Sequence, residues 1–167
     1  MKSFEGVKMN KLDDLPQVTI YSDGGCSPNP GFGAWAVLLM FKHESGEVVK
    51  KELTGFNPDT TNNQMELTAA IQALEALNTG CIVNFYTDSE YVKNGITTWM
   101  KGWIKNGWRT ASKQPVKNQD LWERLNLATQ RHTIQWHWTR GHAGDEYNER
   151  VDFLVNQTRD NARRKMR

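Results

Sequence analysis

Apolar and polar positions change their period along the chain, and each change marks an element. From Gln17 the run VTIYSD alternates, with Val18, Ile20 and Ser22 on one face and Thr19, Tyr21 and Asp23 on the other. This predicts a strand ending at Asp23. It runs into GGCSPNPGFG, a Gly/Pro turn where backbone can approach a ligand closely. AWAVLLMF and GEVVKKELTG are extended runs joined by KHESG, a hairpin with Gly46 in its turn. Three antiparallel strands therefore open the domain. The period then turns helical over Thr60 to Asn78, where steps from Glu66 reach Ala70, Ala73, Leu74 and Leu77 on one inward face.

After Thr79-Gly80 closes that helix, CIVNFYTD reads as a largely buried strand ending in Asp88. Strand, helix, strand implies a right-handed crossover, which sets the new strand parallel to one of the first three. SEYVKNGITTW reads as a helix broken near Gly95, followed by a polar stretch carrying Trp99, Trp103 and Trp108. DLWERLNLATQRH continues as an amphipathic helix with Leu121, Leu125 and Ala128 inward, and TIQWHWTRG supplies a fifth strand. A Gly-containing loop leads to a last helix from about Tyr147, with Asp152 in its first turns and a frayed basic tail after it. The expected organisation is a loose extension over 1–16, one domain over 17–158 and a basic tail over 159–167.

Composition narrows the class. A chain of 167 residues suits one domain able to bury roughly two-thirds of its unfolded surface. Cys26 and Cys81 show no metal-ligand or CxxC spacing, which fits free thiols in a reducing compartment. The start lacks the apolar run of a signal peptide and no stretch approaches a membrane span, so the expectation is a cytoplasmic protein with no membrane partner. The net charge of +2 conceals a division, with −6 over residues 1–90 and +8 over 91–167. Tyr91 to Gln119 holds six basic residues and no acidic one. Clustered carboxylates in the first part suit cations, and the basic second part suits a polyanion.

Glu66 is the first candidate for chemistry. On an inward helix face an ionised carboxylate needs a compensating cation or hydrogen bonds, and no Lys or Arg lies between Glu52 and Lys93. A metal ion is one answer. The other is a first-turn acid that complements the helix dipole behind a Thr60 or Thr61 cap. Asp23 and Asp88 end strands, where ligands of such sheets bind, and Asp152 makes a fourth carboxylate. Four hard oxygen donors suit Mg²⁺, and two such ions about 4 Å apart activate a water for in-line phosphoryl displacement. His142, in a loop between Gly141 and Gly144, is a candidate proton carrier near neutral pH. The three Trp, interleaved with Lys101 and Lys105, read either as core packing or as a platform for sugars and bases.

Five segments carry a family resemblance: YSDGGCSPNPGFGAWA, TTNNQMELTAAIQALEAL, YTDSEYVKNGI, WRTASKQPVKNQDLW and TRGHAGDEYNERVD. In order and spacing, from about Gln17 to Asn156, they resemble bacterial type 1 ribonuclease H. The resemblance implies an α/β, ribonuclease H-like fold with a five-stranded mixed sheet, three strands antiparallel and two parallel, flanked by helices. It implies an endonuclease that hydrolyses the RNA of RNA/DNA hybrids with two Mg²⁺ ions, or Mn²⁺, leaving 5′-phosphate and 3′-hydroxyl ends; separately, a free-standing domain of this length favours a monomer. Asp23, Glu66, Asp88 and Asp152 would then be catalytic metal ligands, and His142 would assist water activation or product release. Asn29, Asn62 and Asn63 match hybrid contacts near the minor groove. Thr61 and Asn118 match a pocket for a DNA-strand phosphate, and Trp99, Trp103 and Trp108 match a protrusion gripping that strand. Two departures, Asp59 and Glu90, add negative charge where relatives often have basic or neutral residues. A non-cleaving hybrid-binding module is the alternative. Four like charges facing a polyanion argue against it.

Overall fold

The computed structural model describes residues 15–139 and 145–166. Five strands form one sheet: β1 (Gln17–Cys26), β2 (Gly31–Lys42), β3 (Val48–Thr60), β4 (Ile82–Thr87) and β5 (Thr133–Trp138), in spatial order β3-β2-β1-β4-β5. The first three pair antiparallel, and β4 is parallel to β1 and to β5. The expected crossover thus places β4 against β1. Helix α1 (Asn62–Glu75) makes that connection, and α5 (Glu146–Lys165) covers the opposite face.

The alternation of β1 divides the core. Val18 and Ile20 join Leu39, Val83, Phe85, the apolar residues of α1 and those of α4 (Gln119–Gln130) on one face. Tyr21 points the other way, with Ala34, Ala36 and Leu38 of β2 and Val151, Leu154 and Val155 of α5. Such two-sided burial fixes strand register, because a one-residue slip would exchange the two sets.

The structure changes four expectations. Strand β1 does not end at Asp23; pairing with β2 continues to Cys26, because an antiparallel neighbour satisfies its backbone beyond the last parallel pair, Tyr21 with Tyr86. The helix is not broken at Gly95. Helix α2 (Glu90–Asn94) passes through one wide π turn, Gly95–Trp99, into α3 (Met100–Lys105). Gly95 is required by packing, since a Cβ there would stand 1.9 Å from the Trp122 ring. In α4 the fully buried residue is Trp122, with Leu125 and Ala128, while Leu121 is half-buried at the core's margin. Residues 159–165, expected as a frayed tail, are helical and continuous with α5, with Ala162 buried.

Candidate active site

Register places the first two carboxylates side by side. Tyr21 and Tyr86 are paired residues of β1 and β4, with rings stacked 4.5 Å apart. Asp23 and Asp88 each follow two residues later, Asp88 one residue past the end of β4, so both lie at the carboxyl ends of the parallel pair, where the Asp88 charge acts on Asp23. Glu66 arrives from α1. A Cβ at position 24 would lie 2.4 Å from the carbonyl oxygen of Met65 and 2.8 Å from the Glu66 nitrogen, so only glycine lets the helix come this near β1. Asp152 stands in the second turn of α5 with its side chain exposed.

The dipole reading of Glu66 does not hold. Thr61 is the N-cap, its hydroxyl accepting from Gln64 N at 3.1 Å, and the first turn holds no acidic residue. Glu66 lies past that turn, half-buried, and accepts a hydrogen bond from Ser89 Oγ at 2.7 Å. Burial pushes its carboxyl up to about 7, opposed by the Ser89 bond and aided by the Asp88 charge. Asp23 is pushed further, to about 8, by burial first and then by the charges of Asp88 and Asp152, with Glu66 adding the least; only the Gly24 N–H opposes. The charges of Asp88, Asp152 and Glu66 thus act on Asp23, and that of Asp88 on Glu66, so the four carboxylates share one electrostatic site.

These donors fit a hard divalent cation. All are carboxylate oxygens, and Asp152 faces solvent. Among the described residues no three His, Cys, Asp or Glu side chains close round a metal by themselves. An ion here would take its remaining oxygens from water or substrate, as Mg²⁺ commonly does. His142 lies outside the described residues.

A second group converges beside the site. Asn29, Thr61, Asn62, Asn63 and Asn118 line a cleft of about 380 Å³, together with Pro30 and Lys117. Asn62 Oδ1 accepts from Cys26 N at 2.7 Å, and Asn29 Oδ1 accepts from Asn62 N at 3.1 Å. Asn118, at φ +60°, donates to the Tyr91 hydroxyl at 3.0 Å and accepts from Gln64 Nε2 at 3.2 Å. The same Tyr91 hydroxyl accepts from Trp122 Nε1 at 3.1 Å, tying the cleft wall to the core.

The tryptophans divide by burial. Trp103 and Trp108 pack against the core, in a chain of ring contacts from Trp99 through Trp103 to the buried Trp122. Trp99 is exposed beside Lys101 and Lys105, which are exposed too. Sequence reasoning missed Ser89, Lys117 and Tyr91. Ser89 had a signal as the cap of the next helix, accepting from Val92 N at 3.0 Å, but nothing local names Glu66 as its partner. Lys117 was one basic residue among six.

Residues 16–160 match the RNase H family model. The chain belongs to the ribonuclease H family. A ribonuclease H of Bradyrhizobium diazoefficiens is 56% identical over 144 residues, covering 86% of this chain and 90% of that protein. Among solved structures, LC9-RNase H1, a type 1 RNase H with the type 2 active-site motif, superposes with a TM-score of 0.79 at 31% identity, over 88% of this chain and 74% of that one. LC11-RNase H1, solved in complex with an RNA/DNA hybrid, gives 0.63 at 25% identity, over 87% and 98%. The ribonuclease H sheet of three antiparallel and two parallel strands is the one expected. Among the described residues no helix of this ribonuclease H is long and apolar enough to cross a membrane.

Proposed function

We propose that this chain hydrolyses the RNA strand of RNA/DNA hybrids, cutting internally to leave 5′-phosphate and 3′-hydroxyl ends. The observation that carries the reading is the meeting of Asp23, Glu66, Asp88 and Asp152 at one electrostatic site, with Asp23 driven to about 8 by burial and its neighbours. Two Mg²⁺ ions, or Mn²⁺ in their place, would be held by these four carboxylates and would supply an activated water and neutralise charge on the phosphodiester. The protein's own residues do the rest. Ser89 donates to Glu66 and favours its ionised form. The Gly24 N–H, 2.9 Å from Asp23 Oδ1, does the same for Asp23. His142 is assigned proton transfer near neutral pH or help in product release.

The cleft orients the hybrid. Asn29, Asn62 and Asn63 offer amide groups to the minor groove, where 2′-hydroxyls distinguish RNA from DNA. Thr61, Asn118 and the Lys117 ammonium suit a DNA-strand phosphate. Trp99, Trp103 and Trp108 with the basic protrusion are assigned to that strand's backbone and sugars, and its binding is salt-dependent. One chain carries the whole set of groups, so we assign a monomer. Its two free cysteines suit the cytoplasm.

The test presents one labelled RNA sequence as RNA/DNA hybrid, RNA/RNA duplex and single strand, with Mg²⁺ and with EDTA. Hybrid-only, metal-dependent cleavage leaving 3′-hydroxyl ends is expected. Glu66→Gln should lower cleavage by orders of magnitude while hybrid binding survives. A folded wild-type protein that binds the hybrid but leaves it uncut with Mg²⁺ and with Mn²⁺ is a binding module, and the reading fails.

A further inference from the structure

Arg163 lies in the last turn of α5, among basic residues that the sequence would assign to solvent or to a polyanion. Its surroundings differ from theirs. The guanidinium donates from Nη2 to the carbonyl oxygen of Ser27 and lies over the Phe32 ring, 5.4 Å from its centroid. Phe32 in turn stacks on Phe56 of β3, with centroids 5.9 Å apart and planes 8° from parallel. No carboxylate among the described residues pairs with Arg163.

These contacts all close on one loop. Ser27 N donates to Phe32 O at 2.9 Å, making 27–32 a closed turn between β1 and β2. The turn carries Asn29, whose Oδ1 accepts from Asn62 N and which lines the substrate cleft. Resting on the proposed hybrid hydrolysis, we infer that Arg163 is a positioning residue, clamping the 27–32 turn so that Asn29 and Asn62 meet the hybrid in a preorganised geometry. The planar guanidinium suits this task because it covers a ring and donates to a carbonyl together. A lysine would keep the charge and lose that planarity.

The experiment measures KM and kcat for a defined RNA/DNA hybrid, and hybrid affinity between about 50 and 200 mM salt, with the full chain. Arg163→Met and Arg163→Lys should each raise KM about three- to tenfold, with kcat within about twofold and an unchanged salt slope. Phe32→Leu should reproduce the rise in KM, and the Arg163→Met, Phe32→Leu double variant should be no worse than the poorer single one, because both remove one clamp. A wild-type KM in Arg163→Met overturns the assignment. So does Arg163→Lys that matches wild type, or a salt slope reduced by about one in Arg163→Met, the mark of a direct phosphate contact. If wild type leaves the hybrid uncut the proposed function falls; if it cuts and the variants match it, only the clamp does.

Discussion

Replacing Asp23 by asparagine should strengthen the folded state while abolishing cleavage, and the gain should depend on pH in a calculable way. In the fold, burial and the charges of Asp88 and Asp152 raise the Asp23 carboxyl from 3.8 to about 8. An unfolded chain returns it to the ordinary value, about 3.9. Between those values the folded state holds a proton that the unfolded state has lost. Stability from this group is therefore complete below about pH 4 and falls as pH rises through about 8. At about 1.4 kcal/mol per unit, the interval from about pH 5.5 to 8 removes about 3 kcal/mol from wild type. The side-chain amide of the Asp23→Asn variant has no such proton to lose. Urea denaturation in EDTA, at several pH values across that interval, should show the variant gaining about 3 kcal/mol on wild type. Mg²⁺ should then restore wild type more than the variant, because it compensates the ionised carboxylates. A stability difference that stays constant from about pH 5.5 to 8 would refute the burial of Asp23 among like charges that raises its carboxyl.

Other residues give independent checks. Ser89→Ala removes both the cap on Val92 N and the bond to Glu66, so it should cost about 1–2 kcal/mol in denaturation. It should also move the rising limb of cleavage against pH upward, since the Ser89 bond is what lowers the Glu66 carboxyl. Gly95→Ala should destabilise by about 1–3 kcal/mol, its methyl meeting Trp122, while Gly102→Ala in α3, with open space around it, should stabilise by about 0.5–1 kcal/mol. Equal melting temperatures for these two glycine variants would contradict the packing. Asp59→Arg should bind the hybrid more tightly and with a steeper salt dependence; unchanged affinity and slope would remove Asp59 from the account.

Much of the fold was legible because periodicity is local. Alternation in VTIYSD and the helical steps from Glu66 name the faces that must be buried, and β1 and α1 bury them. The limits of elements were less legible. Antiparallel pairing with β2 carried β1 to Cys26, and packing around Trp122 turned an apparent breaker at Gly95 into a contact. Such outcomes depend on residues far along the chain. The same distinction holds at the site. Asp23, Glu66, Asp88 and Asp152 stood out by residue type and position, whereas Ser89 and Lys117 acquired their places only through neighbours.

By itself the sequence determined which residue types the chain offers and in what order: four separated carboxylates, a polar asparagine-rich helix start and a basic stretch with three tryptophans. Only the tertiary structure decided how strongly those carboxylates oppose one another, and which polar groups share a cleft. Proton affinity depends on burial and on distances between charges, and both are set by strand register and by the approach of α1 past Gly24. The same reason separates Arg163 from the other basic residues of α5. Its charge is in the sequence, but its partners are Ser27 and Phe32, brought to it across the sheet by the fold.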